Sequence, residues 1–104
     1  FTKIMVVYLA GSISKRLDTY QYDFSDAETV FRGMGHIVLS PAWMPVGLKS
    51  WEDYMKISCA MLEASDAVVF LEGWKESKGA KLEHKKAKEL KKKIIYYDKN
   101  KVIV

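Results

Sequence analysis

The sequence predicts an α/β fold in which a mostly parallel sheet of four to five strands lies between two layers of helices. Segments rich in β-branched and aromatic residues alternate along the 104 residues with segments whose apolar residues recur at helical spacing. Ala67–Leu71 is apolar throughout, as expected of a strand that is covered on both faces. Alternation of this kind favours a parallel sheet with helices on both faces, which makes a three-layer sandwich.

The predicted elements fill residues 1–104 as one domain, because a chain of this length builds a single core. Gly35 marks the end of the first helix, and Ser50 is a favourable N-cap for the second. The strands are predicted at Lys3–Ala10, His36–Ser40, Ala67–Leu71, Ile94–Tyr97 and Val102–Val104. The apolar stripes of the three helices are Phe24, Ala27, Phe31 and Met34, then Trp51, Tyr54, Met55, Met61 and Leu62, and finally Ala80, Ala87, Leu90 and Ile94.

Composition narrows the class of protein. The chain is 49% hydrophobic and 29% charged, which is typical of a globular domain. The apolar run Ile4–Ala10 is far shorter than the roughly 20 residues that a membrane-spanning helix needs, so we expect no membrane partner. Cys59 is the single cysteine, which excludes an internal disulfide and a cysteine metal cage and favours a cytoplasmic setting. His36 and His84 have no matching carboxylate spacing, so no metal site is predicted.

The net charge of +4 comes largely from one segment near the end of the chain. Its lysines fall mostly off the apolar stripe of the third predicted helix, which favours a solvated helix face. Attraction of an anionic partner is the alternative, although nucleic acid is not the expected one. The lysines are Lys81, Lys85, Lys86, Lys88, Lys91, Lys92 and Lys93.

Ligands of parallel α/β sheets bind where the loops that follow the strands gather. Gly11, Ser12 and Ile13 come directly after the first predicted strand. The glycine permits a tight turn, and the amides that follow can cradle a phosphate or sugar oxygen. An ordinary tight turn is the alternative, since neither a dinucleotide fingerprint nor a Walker A motif is present.

Glu83 is the most informative single residue. It lies three residues after Ala80 and four before Ala87, so it shares the sheet-facing stripe of its helix. Carboxylates rarely lie on a buried face without a partner or a function. Glu83 is therefore either a glutamate satisfied by nearby amides or a nucleophile or base at the ligand edge. Trp43 and Trp74 lie in the neighbouring loops and are candidates for stacking on a nucleobase.

Several of these segments form one pattern that runs from about Lys3 to Tyr97. It resembles the short branch, associated with phages and bacteria, of the nucleoside 2-deoxyribosyltransferase-like superfamily, which includes hydrolases of deoxynucleoside 5′-monophosphates. The resemblance implies a flavodoxin/Rossmann-like sheet, a nucleoside or nucleotide as ligand, a homo-oligomer and no cofactor. The segments that carry it are Tyr8–Ile13, Gly35–His36, Pro41–Ala42, Trp51–Met55, Gly73–Trp74 and Ser77–Glu83.

The resemblance also implies roles for individual residues. Glu83, preceded by Gly79, would attack the anomeric carbon of 2-deoxyribose, and Tyr8 would orient its carboxylate. Ser77 resembles the serine that contacts the 5′-phosphate in the monophosphate hydrolases, and Gly11–Ile13 matches their phosphate-binding turn. Ser58 departs from the pattern, because relatives usually carry a ligand-binding aspartate at that position.

These observations lead to three hypotheses. The first is a deoxyribosyltransferase or N-glycosidase, acting on a deoxynucleoside monophosphate. The second is a non-catalytic protein that sequesters a nucleotide or a nucleotide-derived signal. The third is a nucleic-acid-binding accessory that uses the lysine-rich helix.

Overall fold

The computed structural model describes residues 3–13, 15–45, 47–98 and 101–103. Single turns of 3₁₀ helix at Pro41–Trp43 and Trp74–Glu76 lie in the loops that follow the second and third strands of the chain. None of the helices in these ranges is long and apolar enough to cross a membrane.

The strands are β1 (Val6–Ala10), β2 (Ile37–Leu39), β3 (Ala67–Leu71), β4 (Lys93–Asp98) and β5 (Lys101–Ile103). The helices are α1 (Tyr20–Gly33), α2 (Trp51–Ala64) and α3 (Lys78–Glu89).

The sheet has the order β2-β1-β3-β4-β5. Strands β1 to β4 pair in parallel, and β5 pairs antiparallel with β4. The mostly parallel sheet predicted from the sequence is therefore confirmed. The connections that leave the neighbouring strands β1 and β3 run to opposite sides of the sheet. In parallel α/β sheets, this reversal is where the ligand crevice lies, at the carboxyl ends of the two strands.

Two cores lie on the two faces of the sheet, as the predicted three layers require. Successive residues of a strand point to opposite faces, so Val7 and Leu9 pack under α1 while Tyr8 and Ala10 face α2 and α3. All five residues of β3 are buried, as predicted. The core on the α1 side also contains Phe24, Ala27, Phe31, Val38, Ala67, Val69, Leu71, Ile95 and Tyr97. The opposite core also contains Leu62, Val68, Phe70 and Ala87.

The bounds of the first and last strands of the chain differ from the prediction. Pairing of β1 with β2 begins at Val6, and Ile4 is 66% exposed, so the first strand is shorter than predicted. The backbone amide of Val6 donates to the Asp66 carboxylate at 2.9 Å, which ties β1 to the start of β3. The last strand begins one residue earlier than predicted, and Val104 lies outside the described residues.

The carboxyl end of α3 is closed by a non-glycine residue in the left-handed region. Lys91 has φ 57°, and the amides of Lys91 and Lys92 donate to the carbonyls of Lys88 and Ala87 at 3.1 and 2.9 Å. This is the pattern of a Schellman cap, in which glycine is the usual residue at the left-handed position.

Lys91→Gly should therefore raise the free energy of unfolding by about 1 kcal/mol, because glycine has no steric penalty at this φ. Lys85→Gly is the matched control: it removes the same charge from an exposed position in the middle of α3 and should lower stability by about 1 kcal/mol. Urea denaturation measures both changes. Equal destabilisation by the two substitutions would contradict the strain assigned to Lys91.

Candidate active site

The carboxylate of Glu83 lies between α3 and the sheet. The Ser77 side chain starts the helix by accepting the amide of Ala80 at 3.1 Å, which sets Glu83 on the second turn. Glu83 faces inward with Ala80 and Ala87 and is only 5% exposed. The hydroxyl of Tyr8, which reaches up from β1, donates a hydrogen bond to Oε2 of Glu83. One carboxylate oxygen of Glu83 thus has a buried hydrogen-bond donor in the sheet.

Burial dominates the electrostatics of this pair. Removal from water raises the pKa of Glu83 to about 7, and the hydroxyls of Tyr8 and Ser58 partly oppose that rise. Burial, reinforced by the negative charge of Glu83, raises the pKa of Tyr8 well above its usual range. Tyr8 therefore remains a proton donor near neutral pH, where Glu83 is about half ionised.

Helix α2 supplies the other wall of this site. Ser58 is buried, and its hydroxyl donates to the carbonyl of Met55 at 3.3 Å. It also lies close enough to Glu83 and Tyr8 to lower the pKa of each. The sulfur of Met55 lies 3.1 Å from the position that a Cβ of Gly79 would occupy. Any larger residue at 79 would crowd this contact, so glycine lets the two helices approach closely.

The β1–α1 turn carries a buried hydroxyl. Ser12 is 3% exposed, and its Oγ has no hydrogen-bond partner within the part of the chain that the structure describes. A Cβ on Gly11 would lie 3.2 Å from the Cβ of Leu71, so glycine allows this turn to pass close to β3. Ile13 is partly buried and packs against the core on the α1 side. A buried donor without a partner is costly unless a ligand or water pairs with it.

Arg16 crosses from this turn to the loop after β3. Gly73 has φ 85°, and a Cβ there would lie 2.8 Å from Cζ of Arg16. The guanidinium also lies 3.7 Å from the carboxylate of Asp23, and its side chain is 30% exposed. Because Gly73 has no side chain, the partly buried guanidinium of Arg16 has room to lie between the two loops that border the crevice.

The two tryptophans predicted to stack on a base have other contacts. Trp43 donates through Nε1 to Glu28 of α1 at 3.1 Å, whereas Glu83 lies under α3. Trp74 stacks on His84, with ring centroids 4.4 Å apart. Trp74 also lines a cavity of about 320 Å³ at the ends of β3 and β4, together with Phe70 and Tyr96 among others. Base stacking by either residue stays a prediction.

The structure brings Glu83, Tyr8 and Ser58 together and sets Ser77 and Gly79 at the start of the same helix. Met55 and Arg16 were given no role in the predicted site, although Met55 was placed on the apolar stripe of the second helix. Trp51, Met55 and Ser58 share the i, i+4, i+7 spacing of one helix face, so α2 held a signal that would have placed Met55 beside Ser58. The ammonium of Lys78 lies 4.6 Å from the Trp51 ring, on the first turns of α3 and α2. Among the residues described, no three His, Cys, Asp or Glu side chains are grouped to bind a metal ion.

Comparison with known proteins agrees with this architecture. The family described as Domain of unknown function (DUF4406) matches residues 5–96. The chain belongs to this family. No curated protein matches the sequence. A solved structure of the 2-deoxyribosyltransferase from the psychrotolerant bacterium Bacillus psychrosaccharolyticus is similar, with a TM-score of 0.71 and 21% identity over 95% of this chain and 77% of that one. At this identity the similarity is one of fold, and it confirms the predicted deoxyribosyltransferase-like fold of this DUF4406 member.

Glu83→Gln tests the burial of the carboxyl group through the pH dependence of stability. The folded-state pKa is raised from 4.5 to about 7, so the contribution of Glu83 to stability is complete below pH 4.5 and is lost as the pH rises through 7. The wild type should lose about 2 to 3 kcal/mol relative to Glu83→Gln between pH 5 and pH 8. Urea denaturation of both proteins at several pH values measures this difference. A difference that does not change with pH would show that Glu83 titrates as an exposed glutamate.

Proposed function

We propose that the protein cleaves the N-glycosidic bond of a deoxynucleoside 5′-monophosphate, with Glu83 as the nucleophile. The observation that supports this most is the position of the Glu83 carboxylate, buried under α3 and bonded to Tyr8 beside the crevice between β1 and β3. The similarity of fold to a 2-deoxyribosyltransferase supports the same class of chemistry.

In the proposed first step, the carboxylate oxygen of Glu83 that is not bonded to Tyr8 attacks C1′ of the deoxyribose. The C1′–N bond breaks, its electron pair leaves with the base, and the base takes a proton from solvent. Tyr8 keeps its proton and orients the carboxylate throughout. In the second step a water or another base attacks C1′, and the carboxylate of Glu83 is released. The outcome is hydrolysis or transfer of the deoxyribosyl group.

The proposed mechanism can be tested by measuring base release from a panel of deoxynucleosides and deoxynucleoside monophosphates by chromatography. Glu83→Gln should reduce release by more than about 10³-fold, because it removes the nucleophile. The exposed glutamate Glu89 of the same helix provides the matched control, and Glu89→Gln should retain full activity. For the wild type, kcat/KM should rise with pH through about 7, as Glu83 ionises.

Tyr8→Phe should reduce base release by about 10- to 100-fold, the value of a hydrogen bond to a charged group. It should also move the rise in kcat/KM to higher pH, since the Tyr8 hydroxyl lowers the pKa of Glu83. Release that persists in Glu83→Gln, or a pH profile unchanged in Tyr8→Phe, would contradict these roles.

The preference for a phosphorylated ligand rests on the β1–α1 turn. The same loop offers a donor and a cation. These are the hydroxyl of Ser12, which has no hydrogen-bond partner among the described residues, and the guanidinium of Arg16. Asp23 balances part of the Arg16 charge at 3.7 Å, a distance that leaves guanidinium donors free for an anion.

Arg16→Met should therefore weaken binding of the monophosphate by about 10- to 100-fold and leave the affinity for the free nucleoside unchanged. Gly73→Ala should act in the same direction, because a Cβ at residue 73 displaces the guanidinium. Isothermal titration in a Glu83→Gln background, in which the ligand is not cleaved, measures the affinities for the nucleoside and the monophosphate. Equal losses of affinity for the nucleoside and the monophosphate would show that Arg16 does not bind the phosphate.

A nucleotide-binding protein without turnover is the second candidate. Ser58 occupies the position where the resemblance leads us to expect an aspartate. The polar groups that lower the pKa of Glu83 are hydroxyls, those of Tyr8 and Ser58. A leaving base would then have to take its proton from solvent. This candidate predicts a rise in melting temperature with a nucleotide, since any ligand of the native state stabilises it, and no release of base from any member of the panel.

A further inference from the structure

Glu83 is covered on the side from which a ligand would approach. Gly79 lies one helical turn before Glu83 on the same face of α3, and the beginning of α3 lies at the carboxyl edge of the sheet. The sulfur of Met55 fills the space beside Gly79 and also lies 3.9 Å from Oγ of Ser58. A molecule that moves between α2 and α3 from this edge meets the Met55 side chain before it reaches Glu83.

We infer that Met55 is a movable cover that controls the access of ligand and water to Glu83. Residue Glu83 is only 5% exposed, so little of its surface is open to a sugar carbon in the present arrangement. Methionine has three rotatable bonds and a weakly polar sulfur, and it changes rotamer at low cost in free energy. Met55 is partly exposed, and Trp51 and Lys78 lie on the adjacent turns toward the carboxyl edge.

The cover also affects the competition between hydrolysis and transfer, and this effect rests on the proposed function. After the first step, the deoxyribosyl group is bound to Glu83 through a C1′–O ester bond. Attack by water forms a C1′–OH bond, breaks the ester bond, releases the carboxylate and gives one proton to solvent. A closed cover excludes water and favours transfer to a bound base. Met55 thereby sets the ratio of hydrolysis to transfer.

The cover itself is tested without substrate, using Cys59 as a probe. Cys59 is the single cysteine of the chain and lies on α2 one turn after Met55. Partial burial, followed by the nearby charge of Glu83, raises its pKa. Met55→Ala should increase the rate of Cys59 alkylation by iodoacetamide severalfold, and Met55→Leu should stay near the wild-type rate. Rates measured across pH are converted to thiolate rate constants, so that a shift in the Cys59 pKa does not imitate a change in access.

Met61→Ala is the matched control, since Met61 lies on the same helix and packs against the core formed by α2, α3 and the sheet. It loses the same side chain without opening the contact at Gly79, so its alkylation rate should remain that of the wild type. An unchanged rate in Met55→Ala, or an equal rise in both alanine variants, would overturn the cover.

A second measurement addresses the reaction. With a deoxynucleotide donor and an acceptor base, Met55→Ala should raise the ratio of hydrolysis to transfer and the KM, with a smaller change in kcat for base release. Faster alkylation with no base release even in the wild type would support the cover and contradict the proposed chemistry. Base release with an unchanged product ratio and unchanged alkylation would support the proposed chemistry and contradict the cover.

Discussion

A carboxyl group held out of water under α3 is the constraint on which the rest of this site depends. A buried carboxylate is unfavourable unless its oxygens are hydrogen-bonded, and the hydroxyl of Tyr8 provides that bond to Glu83. Tyr8 reaches α3 because alternate residues of β1 face that side of the sheet. The nearby hydroxyl of Ser58, on α2, also lowers the pKa of Glu83. The raised pKa of Glu83 and its position beside the crevice are both consequences of this packing.

Topology explains why the remaining groups meet nearby. Because the chain leaves β1 and β3 toward opposite faces, their loops lie side by side at the carboxyl edge. Gly11 lets the first loop pass close to β3, and Gly73 leaves room for Arg16 to join the two loops. The proposed roles follow from this geometry: the loops bind the charged end of the ligand, and the helices α2 and α3 enclose the reacting carboxylate.

Periodicity in the sequence was enough to predict β3 to the residue and to place Glu83 on the inner face of its helix. Those features depend on local spacing, which a single sequence records directly. The contacts of Met55 with Gly79 and of Arg16 with Gly73 join residues far apart in sequence, and only the packed structure brings them together. The stacking of Trp74 on His84 was not predicted either, because the two residues lie on different elements and local spacing does not record how those elements pack.

The ionisation of Glu83 provides the most direct test of this account, because it requires no knowledge of the ligand. Carboxyl carbons of ¹³C-labelled glutamate can be followed by NMR across pH in the wild type and in Glu83→Gln, which identifies the Glu83 resonance by its loss. The account predicts a titration midpoint near 7, and a midpoint that moves higher in Tyr8→Phe. A midpoint at or below 4.5, the ordinary value, would contradict the burial of this carboxyl group and the site built around it.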